Sequence, residues 1–233
     1  MSLRFQQVAA QNRSPLPPLK KDALMRTLVC TGLLAGLVSA FPPAHADDSL
    51  RAEGRRLSGG LGAPAVSPTD AAAPEPARAL FWDTRLSVDG KTACASCHSA
   101  SDWSADRRAF SIDARGKATG RHSQPVFNAM RQASLRWTGD RKSGADQARG
   151  SMTGSMGFAS VDLAVSRLRE LDYEPKLRAA YPGDAEALSA ANYGRALEAY
   201  QATLVTPAAF HAFLGGREDA LAARHKRGLR TFL

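Results

Sequence analysis

The pentapeptide Cys94-Ala95-Ser96-Cys97-His98 constrains this chain more than any other stretch of it. In a helical turn, residues i, i+3 and i+4 share one face, so two thiols and an imidazole would point the same way. Four explanations compete: a zinc half-site, a redox dithiol, a covalently held haem, or chance. A zinc site needs two more ligands at matched spacing. No second C-x-x-C and no H-x-x-x-H exists, and His122, His211 and His225 are scattered. A redox C-x-x-C opens a helix after a strand in a βαβ unit, and no such alternation surrounds residue 94. A disulfide across two residues closes a tiny loop and adds little stability.

The N-terminal stretch narrows the choice. Lys20, Lys21 and Arg26 precede an apolar run over residues 27–41, and Ala44-His45-Ala46 has the A-x-A form of a cleavage site. The run is too short for a confident membrane span. The pattern predicts an export signal over 1–46, cleaved after Ala46, with Met25 as an alternative start; an uncleaved anchor is the competing reading. A periplasmic protein with no stable membrane span after processing follows. Cys30 would leave with the signal, and Val29 before it does not suit lipid attachment. The mature chain then keeps Cys94 and Cys97 alone. The formal charge of +9 falls to +5 once 1–46 is removed, since that segment carries five basic residues against one acidic. No aromatic-basic alternation accompanies the remaining charge, so nucleic acid is not expected as a partner.

Haem fits what is left. Cys94 and Cys97 can each bond one vinyl group of a porphyrin, and His98 then reaches the iron as axial ligand. C-x-x-C-H is the attachment signature of c-type haem, which is installed outside the cytoplasm. One covalent haem c is the expected cofactor, with His98 as the metal ligand.

Along the chain, residues 47–76 are rich in Ala, Pro and Gly and read as a linker or loosely packed arm. Residues 79–93 give a short apolar run and a turn at Asp89-Gly90. Residues 99–124 read as a long loop over one side of the haem. From residue 159 the pattern turns helical. Ser160 caps a stripe of Val161, Val165 and Leu168; Tyr173, Leu177, Ala180 and Tyr181 follow, stopped by Pro182-Gly183. Tyr193, Leu197, Tyr200 and Leu204 make a third stripe before Pro207, and a last helix begins at Leu221. The aromatic stripes read as core. No β-alternation is sustained. The predicted fold is mostly α, a cytochrome c-like haem domain with long loops, over 77–233.

Four stretches, in order, then carry a resemblance. "LFWDTRLSVDGKTACASCH" (80–98), "GRHSQPVFNA" (120–129), "LRWTGDRKSGADQA" (135–148) and the helical segment 196–232 resemble the N-terminal haem domain of the bacterial di-haem cytochrome c peroxidase family. That family includes relatives that oxidise a partner protein. The resemblance implies thioether roles for Cys94 and Cys97 and proximal ligation by His98. It implies that Trp137 passes electrons between haems and that Gln147 lies beside the peroxide site. It also implies hydrogen peroxide as substrate and a small periplasmic electron donor, such as a cytochrome c or cupredoxin.

The departures from the family pattern matter as much. The family's acid–base carboxylate precedes a methionine; Met156 matches that methionine, and Ser155 or a deletion takes the place of the acid. Ala114 stands where some branches put a distal histidine. The family's calcium-binding asparagine aligns with His122, a poor calcium ligand because calcium prefers oxygen. His122 is then either a sixth iron ligand or a surface histidine, and Met152 and Met156 are further axial possibilities. The sequence ends where the family continues into a second C-x-x-C-H domain, which implies a fragment, a truncated product or a one-haem descendant. Leu229 and Phe232 would then be partly unburied and offer a dimer contact. Beside peroxide reduction, two readings stay open: oxidation of a partner protein, and a non-enzymatic electron-transfer module or inactive remnant.

Overall fold

The structure is a computed structural model that describes residues 44–58 and 74–233. The expected signal segment through residue 43 and the stretch 59–73 lie outside the described residues. Among the described residues there are nine α-helices and no strand, only three isolated β-bridges. The mostly-α expectation holds. The described residues group into two compact units: residues 74–207, which carry the C-x-x-C-H motif, and residues 44–58 together with 208–233.

The smaller unit contains α1 (Ala44–Ser58). Residues 47–58, the first part of the stretch expected to be linker, are therefore helical. Asp47 in its first turn and Arg55 and Arg56 in its last turn complement the helix dipole. What the linker reading missed is a packing partner far along the chain. Leu50 is buried with Phe213 and Leu214, and Asp47 pairs with Lys226 at 2.5 Å and Arg230 at 3.2 Å. The partner helices come at the chain's other end, and they include a basic one that starts at Ala223, two residues later than expected. Leu229 packs against this small core, while Phe232 is 86% exposed.

The larger unit is built on α2 (Pro74–Trp82), the single turn α3 (Cys94–Cys97), α4 (Gly144–Thr153), α5 (Val161–Glu170), α6 (Glu174–Ala180) and α7 (Ala190–Ala202). Three of these start in the same way. Ser143, Ser160 and Ser189 each accept a hydrogen bond from the amide three residues on, at 3.0, 3.3 and 3.2 Å, which satisfies a donor that the first helical turn leaves unpaired. α7 packs against α2 and α4. Tyr173, Leu177, Ala180, Tyr181, Tyr193, Leu197, Tyr200 and Leu204 are all buried in one core, so the aromatic stripes are core as expected. The α5 stripe differs: Ala164 and Leu168 are buried, whereas Val161, in the first turn, faces solvent.

Candidate haem site

The Cys94–Cys97 turn is a four-residue helix closed at its start by the Ser96 side chain and at its end by its own backbone. The Ala93 amide donates to Ser96 Oγ at 2.9 Å, and the His98 amide donates to the Cys94 carbonyl at 3.0 Å. The turn is stapled to the loop that follows it by Ser123. Its hydroxyl donates to the Cys97 carbonyl at 2.8 Å and accepts from the Asp106 amide at 2.8 Å. One short motif and one distant serine thus fix both sulfurs and the histidine in a single arrangement.

The histidine is oriented from below. His98 Nδ1 lies 3.2 Å from the carbonyl oxygen of Ser104. With that nitrogen protonated and donating, Nε2 is left as the free lone pair that a metal ligand requires. Burial lowers the His98 pKa, which keeps the ring neutral. The two cysteines are not disulfide-bonded. Burial pushes the Cys94 thiol up to about 12 and also raises Cys97, so both are held as neutral sulfurs. Cys94 packs against the apolar core, a setting that suits a thioether better than a thiolate.

Next to the turn lies a cavity of about 650 Å³, within the range of roughly 300–1,000 Å³ that ligand sites occupy. Cys97, His98, His122, Trp137, Gln147 and Ser155 are on its wall. Cys97 and His98 on the wall, with Cys94 one helical turn before them, and a cavity of this size fit a haem held at Cys94 and Cys97 with His98 on the iron. Among the described residues, no group of three or more His, Cys, Asp and Glu stands close enough to hold a metal ion by itself.

The cavity gathers most of the residues singled out from the sequence. Gln147 projects from the second turn of α4, whose position is set by α7: Glu198 Oε1 accepts the Gly144 amide at 2.9 Å. Trp137 is 55% exposed, and its indole Nε1–H donates to the His122 carbonyl at 3.0 Å, with the two rings 6.0 Å apart. Ser155 is on the wall, and its carbonyl accepts the Ala114 amide at 2.9 Å. Ser155 and Ala114 are therefore neighbours. Met152 and Met156 are not on the wall. Both are buried in the apolar core.

Two wall residues escaped the sequence reading. Asp113 is buried and accepts from the amides of Lys117 and Arg115 and from the Arg115 guanidinium. The Lys117 amide first, then Arg115, hold its pKa below the usual carboxylate value. Arg141 also lines the cavity and lies along α4, where Gly150 leaves room for its guanidinium. The signal for Asp113 was present in "DARGK", an Asp two residues before an Arg and a turn glycine. Arg141 carried no signal beyond its place after Trp137.

Comparison with known proteins agrees with this geometry. Residues 77–219 match the family described as di-haem cytochrome c peroxidase. The cytochrome c551 peroxidase of Pseudomonas aeruginosa is 34% identical over 157 residues, covering 66% of this chain and 45% of that protein. The methylamine utilization protein MauG of Methylorubrum extorquens is 32% identical over 228 residues, 94% of this chain and 63% of that protein. A crystal structure of a MauG-like protein associated with microbial copper homeostasis superposes with a TM-score of 0.58 at 26% identity, covering 67% of this chain and 47% of that one. The chain spans about half the length of the relatives it matches, 45% of the first. With the motif, the cavity and the match over 77–219 in agreement, the chain belongs to the di-haem cytochrome c peroxidase family.

Proposed function

We propose that the larger unit holds one haem c through Cys94 and Cys97, with His98 as axial ligand, and reduces hydrogen peroxide at that haem. Electrons come from a small periplasmic donor, a cytochrome c or a cupredoxin. The observation that carries the reading is the shared cavity: the oriented, neutral imidazole of His98 and the amide of Gln147 line the same space. A bound haem iron supplies the site for peroxide and the redox change. The residues of the chain do the rest. Gln147 offers an N–H donor and a C=O acceptor to orient peroxide. Ser155 is a poor proton carrier at neutral pH, and Asp113 is kept ionised by its amide and guanidinium partners. Proton delivery is therefore the weak part of this pocket.

A second reading, oxidation of a partner protein, is favoured by one observation. Trp137 lies on the cavity wall and is 55% exposed, so it connects the cavity with the surface. A periplasmic setting rests on the predicted signal; among the described residues no helix is long and apolar enough to cross a membrane.

The test is direct. Mass spectrometry of protein produced with haem-attachment machinery should show the mass of one haem, resistant to acid-acetone extraction and lost when Cys94 and Cys97 are both changed to Ala. Peroxide added to the oxidised protein should change its haem absorption spectrum. Extractable haem, or a spectrum indifferent to peroxide, would overturn the proposal.

A further inference from the structure

The wall of the cavity carries four arginines, Arg115, Arg121, Arg136 and Arg141, against one carboxylate, Asp113. Three of the four are satisfied by other groups or by solvent. Arg115 pairs with Asp113 at 2.9 Å and donates to the Gly154 carbonyl at 3.0 Å. Arg136 pairs with Asp140 at 2.9 Å. Arg121 is exposed, so water can serve its guanidinium. The indole Nε1–H of Trp137, another donor on this wall, is already directed at the His122 carbonyl at 3.0 Å.

Arg141 differs. Its side chain is 30% exposed, and its buried Nε meets no acceptor among the described residues. Its one ion pair there, Nη1 with Asp146 Oδ2, is 3.8 Å long, which is beyond hydrogen-bonding distance. Yet the residue is firmly placed. The Leu135 amide donates to the Arg141 carbonyl at 2.8 Å, across a turn in which Gly139 takes φ 67°. The side chain then lies against α4 at Gly150, where a Cβ would come 3.1 Å from Nη2 and 3.4 Å from both Cζ and Nε. Any larger residue at 150 would press on the guanidinium.

A largely buried cation with unmet donors calls for an anion. A guanidinium presents its N–H groups as a planar fork that matches a carboxylate at two points. A haem brings two carboxylates, its propionates. Thioether bonds at Cys94 and Cys97 use the vinyl groups and leave both propionates to be met.

We infer that Arg141 anchors one haem propionate, in a place that Gly150 keeps open for its guanidinium. The inference rests on the haem reading above. The contact is an ion pair with hydrogen bonds, and no covalent bond forms or breaks. It makes Arg141 a positioning residue with two effects. The macrocycle is tied to α4, the helix that carries Gln147. The guanidinium also offsets the negative charge of the propionate, which would otherwise favour ferric iron and lower the potential of the haem.

The experiment uses the haem-loaded chain and reads the propionates directly. In resonance Raman spectra each propionate gives a bending band, which moves to lower frequency when the carboxylate loses hydrogen bonds. Arg141→Met keeps the length of the side chain and removes every N–H. It should shift one propionate band down and lower the midpoint potential. Arg141→Gln, which keeps one amide donor, should shift the band in the same direction by less. Arg141→Lys keeps the charge and should hold the potential close to that of the wild type. Arg121→Gln, on the same wall but in solvent, should leave both bands in place. Unshifted bands in whichever of the Met and Gln variants carries haem would overturn the inference and leave the haem reading intact. So would a shift in Arg121→Gln with none at residue 141. A wild-type chain that takes up no covalent haem would overturn both.

Discussion

His98 Nδ1 lies 3.2 Å from the Ser104 carbonyl, and that carbonyl is aimed by two consecutive residues in the left-handed region, Trp103 at φ 57° and Ser104 at φ 67°. Such conformations cost of order 1–3 kcal/mol each in non-glycine residues, so something must hold them. The Ser104 amide donates to the Ser99 carbonyl at 2.7 Å, and the Ser104 carbonyl also accepts the Val126 amide at 3.2 Å. The loop after the motif is thus a bracket for the imidazole. Ser104→Gly should be tolerated, because glycine takes this conformation freely and the buried Ser104 hydroxyl has no hydrogen-bond partner to lose. Ser104→Val should destabilise the haem-loaded protein by about 1–3 kcal/mol, the cost of forcing a β-branched residue there. Guanidinium unfolding curves of the two variants check this, and equal stabilities would show that the bracket is not strained.

A second relationship ties the segment before the motif to the core. Tyr173 Oη donates to Asp83 Oδ2 at 2.8 Å, and Arg85 holds the same carboxylate. Arg85 first, then Tyr173, hold the Asp83 pKa down at about 2. A carboxylate with a depressed folded-state pKa stabilises the fold above its ordinary value of 3.8 and loses that contribution as pH falls towards about 2. Tyr173→Phe should cost about 1 kcal/mol at neutral pH, the usual net worth of one such bond. The deficit should shrink as pH drops from 4 to about 2, where Asp83 protonates in both proteins. Unfolding midpoints measured at pH 7 and at the acid end decide it; a deficit independent of pH would mean that Tyr173 acts through packing alone.

Much of this site was legible in the sequence because its chemistry is local. The spacing of Cys94, Cys97 and His98 is set by one helical turn. The stripe of Tyr193, Leu197 and Tyr200 is set by helical periodicity along α7. What stayed hidden depends on contacts between distant segments. Residues 47–58 look like linker because their apolar partner, Phe213, lies at the other end of the chain. Met156 reads as a possible ligand because a thioether sulfur can bind iron; only the folded packing shows it buried in the core. The backbone carbonyl of Ser104, which sets the imidazole, has no signature at all, since any residue supplies a carbonyl.

The contact between α4 and α7 gives a prediction that sequence periodicity could not have offered. Gly194 lies on α7 where a Cβ would come 2.7 Å from the Ala145 carbonyl oxygen of α4. That atom is backbone and cannot turn aside. Gly194→Ala gains helix propensity, up to about 1 kcal/mol, yet overpacking of this kind typically costs 1–3 kcal/mol. Net destabilisation is expected, together with a shift of α4 and hence of Gln147. Thermal unfolding reads the first. The second appears as an altered haem absorption spectrum in the folded variant. A Gly194→Ala protein more stable than wild type would show that the helices can separate at no cost.

The last prediction concerns the weak proton delivery in the cavity. Ser155 is on the cavity wall, one residue before Met156, and its carbonyl accepts the amide of Ala114. Neither side chain can take and return a proton at neutral pH. Asp113 is close by but is bound to Arg115 and two amides, which disfavour its protonated form. Loss of a general acid–base group typically costs about 10² to 10⁴ in rate. The haem-loaded chain should therefore be a slow peroxidase, and Ser155→Glu should raise the rate with peroxide and an artificial donor. The gain should appear in kcat, with a new dependence on pH near the pKa of the added carboxylate, because the change supplies a proton carrier and no new binding contact. Gln147→Ala should lower what activity remains, through loss of an amide that can touch peroxide. If Ser155→Glu leaves both the rate and the pH profile unchanged, residue 155 does not face the reacting oxygen atoms. If Gln147→Ala is equally silent, peroxide is not handled in this cavity.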